Sequence, residues 1–166
     1  MTVAVKYPAK LSVALHALCL IHIFRDYPEA VNSKEIAHCT GTNPSYIRQL
    51  MMPLVQADIV IPGRGRISPK LKLEPEKITV ASVYKAIEND RKLLNITTGS
   101  NPNCRIGTKI QAAIGEKYDI VQKKAIEEME RITLADILSD FESRVNEEDY
   151  ADTFRKRRLC PPDGKC

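Results

Sequence analysis

Ser45, Tyr46, Arg48 and Gln49 fall together in the run Pro44-Ser45-Tyr46-Ile47-Arg48-Gln49-Leu50. Hydroxyls, an amide and a guanidinium bond to phosphate oxygens and to base edges. A helix lying in a major groove presents such side chains from its first turns. Further along, Arg64 and Arg66 alternate with Gly63 and Gly65, which places fixed positive charge on a tight turn suited to phosphates. The other reactive groups are thiols. Cys19, Cys39, Cys104, Cys160 and Cys166 are five in number and widely scattered, unlike the disulfide framework of a secreted domain. They are expected to start as reduced thiols. His16, His22 and His38 share no metal-ligand spacing. Cys160 and Cys166 sit in a Pro/Gly tail without a third ligand, so no metal site is expected.

The elements that must position these residues can be read from caps and periodicity. Asn32 and Glu35 have capping-box spacing, with Ile36 and Ala37 as the apolar side of a short helix that Gly41 ends. Asn43 then caps a second helix with Pro44 at its first position, and Ile47, Leu50, Met51, Leu54 and Val55 recur at helical spacing. Ile59-Val60-Ile61 and Leu71-Lys72-Leu73 read as two short strands around a turn holding Pro62, Gly63, Gly65 and Pro69. The whole is a helix-turn-helix followed by a wing; a plain helical hairpin with a polar outer face is the rival reading. A first helix over Lys10 to Arg25, with Leu11, Leu15, Leu18, Ile21 and Ile23 as apolar surface, precedes it. Thr79 opens a further helix whose inner face is Val80, Val83, Ala86 and Ile87.

The chain of 166 residues is long enough for one core with an arm or tail. Its net charge of +4 lies wholly in the first 80 residues, ten Lys/Arg against six Asp/Glu; the rest is balanced. A basic half of this kind suits nucleic acid. The apolar run from Leu11 to Phe24 is too short to span a bilayer, and no small-residue cleavage pattern follows it. A buried first helix and a cytoplasmic chain with no membrane partner are therefore expected.

After a loop-like stretch to Gly107, which carries Cys104, a long helix is expected from Thr108 to about Ile132. Ile110, Ile114, Val121, Ala125 and Met129 form a narrow seam along it, while Lys123, Lys124, Glu127 and Glu128 cover the outer faces. A narrow seam on a long helix usually meets another helix, so these residues are the expected dimer contact. Thr133 to Phe141 reads as a short closing helix, and the charged tail from Glu142 onward as disordered. The expected organisation is a DNA-binding domain over 1–90, a loop over 91–107, the dimerisation and closing helices over 108–141, and the tail over 142–166. The fold class is mainly α with a small β-hairpin wing.

These segments in this order resemble the winged-helix regulators of the Rrf-two family, typified by IscR, NsrR and CymR. The match runs from Ser45-Tyr46-Ile47-Arg48-Gln49-Leu50 through Ala57, Ile59-Val60, Gly63-Arg64-Gly65, Ile78-Thr79-Val80 and Ala86-Ile87-Glu88 to Thr133-Leu134-Ala135-Asp136. It covers residues 9 to 140. The resemblance implies a dimeric regulator, usually a repressor, that reads a pseudo-palindromic operator in double-stranded DNA with the helix beginning at Asn43. Two departures stand out. Arg66-Ile67-Ser68-Pro69 fills the place of a longer glycine run, and Asp58 stands where glycine is common. Members that hold an iron–sulfur cluster carry three closely spaced cysteines before the long helix; this chain has Cys104 alone there, and a cluster needs several thiolates. No cofactor is expected.

A single thiol can still sense oxidants or electrophiles. Arg105 and the start of the long helix would both favour the Cys104 thiolate, with Cys39 as a candidate disulfide partner; a small packed residue is the competing role. Nothing resembles a phosphate-binding glycine loop, a nucleophile elbow or an HExxH site, so the chain is not expected to be an enzyme. The alternative function is a winged-helix interaction module controlled by a partner enzyme, with little direct DNA binding.

Overall fold

The computed structural model describes residues 10–27, 30–64, 67–89, 92–95, 104–146 and 148–149. Arg66, Cys160 and Cys166, together with the expected tail from residue 150 onward, lie outside these described residues. Its helices are α1 (Lys10–Ile23), α2 (Ser33–Thr40), α3 (Pro44–Gln56), α4 (Val80–Glu88), α5 (Arg105–Met129) and α6 (Leu134–Glu142). Strands β1 (Val60–Ile61) and β2 (Lys70–Leu71) form the wing between α3 and α4.

Side-chain caps set most of these boundaries. The Asn32 side chain accepts from the amides of Lys34 and Glu35, and Gly41 closes α2 in the left-handed region at φ 64°. Asn43 accepts from the Tyr46 amide, with Pro44 in the first turn of α3. Thr79 caps α4 through the Ser82 amide. Thr133 and Asp136 form a full capping box on α6. At the end of α3, Asp58 takes φ 59°. Aspartate is one of the few side chains that tolerate this region, and its carboxylate pairs with the Lys72 ammonium at 2.7 Å.

The wing strands are shorter than expected, and the second starts one residue earlier. Val60 faces Leu71 and Ile61 faces Lys70, so the second strand starts at Lys70 and Leu73 lies beyond it. One further bond, from the Lys72 amide to the Ile59 carbonyl at 2.9 Å, extends the pairing at its base. Gly63 is required here: a Cβ on it would lie 2.1 Å from the Ile67 carbonyl oxygen.

The apolar interior is in two connected parts. Ala17, Ile21 and Phe24 meet Val31, Ile36 and Ile47, which seats α2 and α3 on α1. Ala14 and Leu18 meet Leu54, Val60, Val83 and Ile87, and here Leu134 and Leu138 of α6 join them. The closing helix is thus part of the winged body, not of a unit with α5. Backbone bonds across the chain seal this return, from Val80 to Ile132 at 2.9 Å and from Leu134 to Ile78 at 2.8 Å. Helix α5 has no buried residue. It starts at Arg105, three residues before the expected Thr108, and ends at Met129.

Candidate nucleic-acid interface

Arg48 is the hinge of the polar surface. Its Nη1 donates to Ser33 Oγ at 3.2 Å and its Nη2 to Ser45 Oγ at 3.1 Å. Ser33 opens α2 and Ser45 lies in the first turn of α3, so one guanidinium spans the starts of both helices. Helix starts carry partial positive charge, and with Arg48 they make a corner that attracts anions. Ser45, Arg48 and Gln49 are all exposed. They are available to a ligand lying along α3.

The wing closes the other side. A cleft of about 900 Å³ runs between the start of α2, the flank of α3 and the wing, with Lys34, Arg48, Met52, Gln56, Gly63 and Ile67 among its lining. Arg64 stands exposed at the wing turn, where the Ile67 amide bonds back to its carbonyl at 3.0 Å. The wing is anchored at its base. Ser68 is buried, and its Oγ accepts from the Val31 amide at 3.0 Å, tying the wing to the approach to α2. The pairing joins residues far apart in sequence, and neither residue type announces it. Ser33 was likewise missed, because only the packing of α2 against α3 brings it to Arg48. The Ser45–Arg48 spacing alone was visible as a helical neighbour pair.

Tyr46 is a correction. Its ring packs against both parts of the core, and its hydroxyl is buried with no hydrogen-bond partner among the described residues. Burial raises its pKa, with the Glu88 carboxylate adding to the effect. The side chain faces inward because position 46 lies beside Ile47 on the core side of α3, and tyrosine supplies apolar area as readily as a polar tip.

The thiols separate by environment. Burial pushes the Cys19 thiol up to about 11, so it stays a neutral packing group. Cys39 and Cys104 are exposed, and no disulfide joins the three. Cys104 caps α5, its Sγ accepting from the Gly107 amide at 3.3 Å. In the stretch from residue 91 to 104 that leads into α5 the sequence has one cysteine, Cys104, and among the described residues no three His, Cys, Asp or Glu side chains are placed to hold a metal ion. The seam residues Ile110, Ile114, Val121, Ala125 and Met129 lie on α5 with none buried; Ile110 and Val121 are 53% and 50% exposed.

Two capped helices crossing on α1, a short hairpin behind them and a polar corner on the second helix define a winged helix-turn-helix protein. The chain belongs to the Rrf2 family, described as an iron-dependent transcriptional regulator, whose model matches residues 7–140. It is 32% identical over 131 residues to YwnA of Bacillus subtilis (strain 168), whose name places it provisionally among HTH-type transcriptional regulators; the match covers 79% of this chain and 96% of YwnA. A crystal structure provisionally described as a DNA-binding protein superposes with a TM-score of 0.62 at 31% identity, covering 78% of this chain and 99% of that one. IscR of T. potens gives 0.59 at 26% identity, covering 87% and 94%. The family consists of transcriptional regulators, not enzymes, and its regulators bind DNA, typically as dimers. No helix among the described residues is long and apolar enough to cross a membrane.

Proposed function

We propose that this regulator reads a pseudo-palindromic operator as a homodimer and acts as a repressor. Ser45, Arg48 and Gln49 of α3 face base edges, while Arg64 and Arg66 of the wing lie on the flanking backbone. The observation that carries this reading is the Arg48 fork, which joins two helix starts at an exposed corner beside the wing. The seam of α5 supplies the dimer contact, and no iron–sulfur cluster is needed. The test is selection of bound duplex from random DNA, followed by salt titration of the winning site. Binding should fall steeply with salt, and the double variant Arg64→Ala, Arg66→Ala should lower the slope by about two units. Sequence-indifferent or salt-insensitive binding would overturn the reading.

A thiol response at Cys104 forms the second part of the reading. Its support is an exposed thiol at the first turn of the α5 arm. Tilting that arm would change the separation of the two α3 helices, which must match the half-site spacing. Cys104→Ser should bind the operator normally yet ignore oxidant, with Cys39→Ser sharing or blunting the change. An oxidant response in Cys104→Ser equal to the parent's would remove the thiol from signalling.

A further inference from the structure

The outward face of α3 does not stay polar along its length. Beyond Ser45, Arg48 and Gln49 it carries Met52, which is 61% exposed, and then exposed Gln56. At about 100° per residue, Met52 falls between Arg48 and Gln49 in angle and within about 20° of Ser45, which puts it near the centre line of that face. The core does not need it. Ile47, Leu50 and Leu54 are the buried side of α3, and the neighbouring Met51 and Val55 pack against the same interior. Nor does the wing cover it, since Ile67 lines the same cleft as Met52 and is itself 58% exposed. Arg48 is the one charged residue of α3, so no cation of this helix turns its second half toward phosphate.

We propose that Met52 is a further specificity residue of this regulator, its thioether end packing on the C5 methyl of a thymine in each half-site of the operator. This rests on the reading of α3 as the groove-facing helix and adds a base that its polar side chains do not select.

The chemistry of the groove chooses the occupant. A major groove offers phosphate oxygens at its margins and hydrogen-bond donors and acceptors on its floor, and its apolar group is the thymine methyl. Methionine has no hydrogen to give a phosphate and only a weak acceptor for a base edge. Pressed against polar edges it would strip their water without replacing the bonds. Against a methyl, the contact removes apolar surface from water on both sides. The unbranched, polarisable side chain can also follow the methyl as the duplex settles. The reach is suitable as well. Met52 lies seven residues beyond Ser45, about 10 Å along the helix, and four beyond Arg48, about 6 Å. With base pairs about 3.4 Å apart, that thymine lies within about three base pairs of the bases facing Ser45 and Arg48.

The test uses the full chain and the duplex selected from random DNA. Each thymine of that duplex is replaced in turn, symmetrically in both half-sites, by uracil, which keeps every hydrogen-bonding group and lacks only the C5 methyl. One buried methyl is worth about fourfold in affinity, so at one thymine position uracil in both half-sites should weaken the parent protein by roughly tenfold. In Met52→Ala and in Met52→Gln the same uracil should change affinity by less than about twofold, because the partner of the methyl is gone. Met52→Leu should keep the parent's distinction. Helical content by circular dichroism should be the same in all four proteins. A uracil penalty that persists undiminished in Met52→Ala, or no penalty at any thymine, would overturn the proposal and leave selective reading by the polar residues standing. So would equal weakening of operator and random duplex by Met52→Ala, which would put the side chain on the sugar-phosphate backbone. A parent protein that selects no duplex would overturn both.

Discussion

Replacing Tyr46 with phenylalanine separates a reading residue from a packing residue on the same turn of α3. The Tyr46 ring touches both halves of the core, and its hydroxyl is buried without a partner among the described residues. A buried polar group left unsatisfied costs about 1–3 kcal/mol, whereas the ring contacts survive in Tyr46→Phe. The expected result is a gain of about 1 kcal/mol, at the low end because a hydroxyl can find transient water. For a chain of this size the urea slope is about 1–3 kcal/mol/M, so the unfolding midpoint should rise by about 0.5 M at fixed protein concentration. The pH dependence gives a second readout. With its pKa raised in the folded state, Tyr46 keeps its proton while the unfolded chain loses it above the free value of 10.0. Stability in the parent is therefore whole below pH 10.0 and declines as the pH rises through the folded pKa, and Tyr46→Phe lacks that part of the decline. Operator affinity should be unchanged. A lower midpoint, or a tenfold loss of affinity on the operator, would show that the hydroxyl has a partner and that the inward placement is mistaken.

Other expectations follow from the same geometry. Arg48→Ala should cost about 1–3 kcal/mol on the operator and relax preference at one position per half-site, and Arg48→Lys should recover little because an ammonium cannot fork between Ser33 and Ser45; equal losses on operator and random duplex would assign Arg48 to the backbone. Ser68→Ala strands the buried Val31 amide and should lower stability by about 1–3 kcal/mol in denaturant titration while loosening the wing, seen as faster proteolysis near Arg64; an unchanged midpoint would mean that the amide is satisfied elsewhere. Burial lowers the pKa of His16 and of His22, the latter also through Arg25. The unfolded chain takes up their protons first as the pH falls below 6.5, so stability is whole above that value and declines below it. His16→Gln should flatten part of this decline in unfolding curves recorded between about pH 7 and pH 5; an identical profile would remove His16 from the acid response.

Local chemistry carried most of what the sequence made legible. Asn32, Gly41, Asn43, Thr79 and Thr133 act within one turn of themselves, so their caps could be read before any packing was known. The polar run at Ser45, Arg48 and Gln49 was legible for the same reason, since it lies on one helix. Tyr46 was misplaced because periodicity cannot say which way an amphipathic ring turns at the edge of an apolar stripe. The second strand's bounds shifted by one residue because Lys70 and Lys72 alternate with Leu71 and Leu73, leaving polarity alone unable to choose between neighbouring frames. The Val31–Ser68 anchor, the Ser33–Arg48 bond and the place of α6 beside α1 are contacts between segments distant in sequence. They arise from packing, which a single chain of letters does not encode locally.

The return of Thr133 to Thr79 bears on how the protein is made. The two residues form a bridge, and Leu134 and Leu138 fill the same apolar interior as Ala14 and Leu18. During synthesis the winged segments leave the ribosome first, but their interior stays open until the chain beyond α5 has followed. A nascent or truncated product that ends before α6 therefore has an unfinished core. Such a fragment exposes the apolar surface that Leu134 and Leu138 otherwise cover, and is expected to be cut faster by proteases than the whole chain. The connection makes possession of the arm a condition for having a finished body, because the chain reaches α6 only by way of α5.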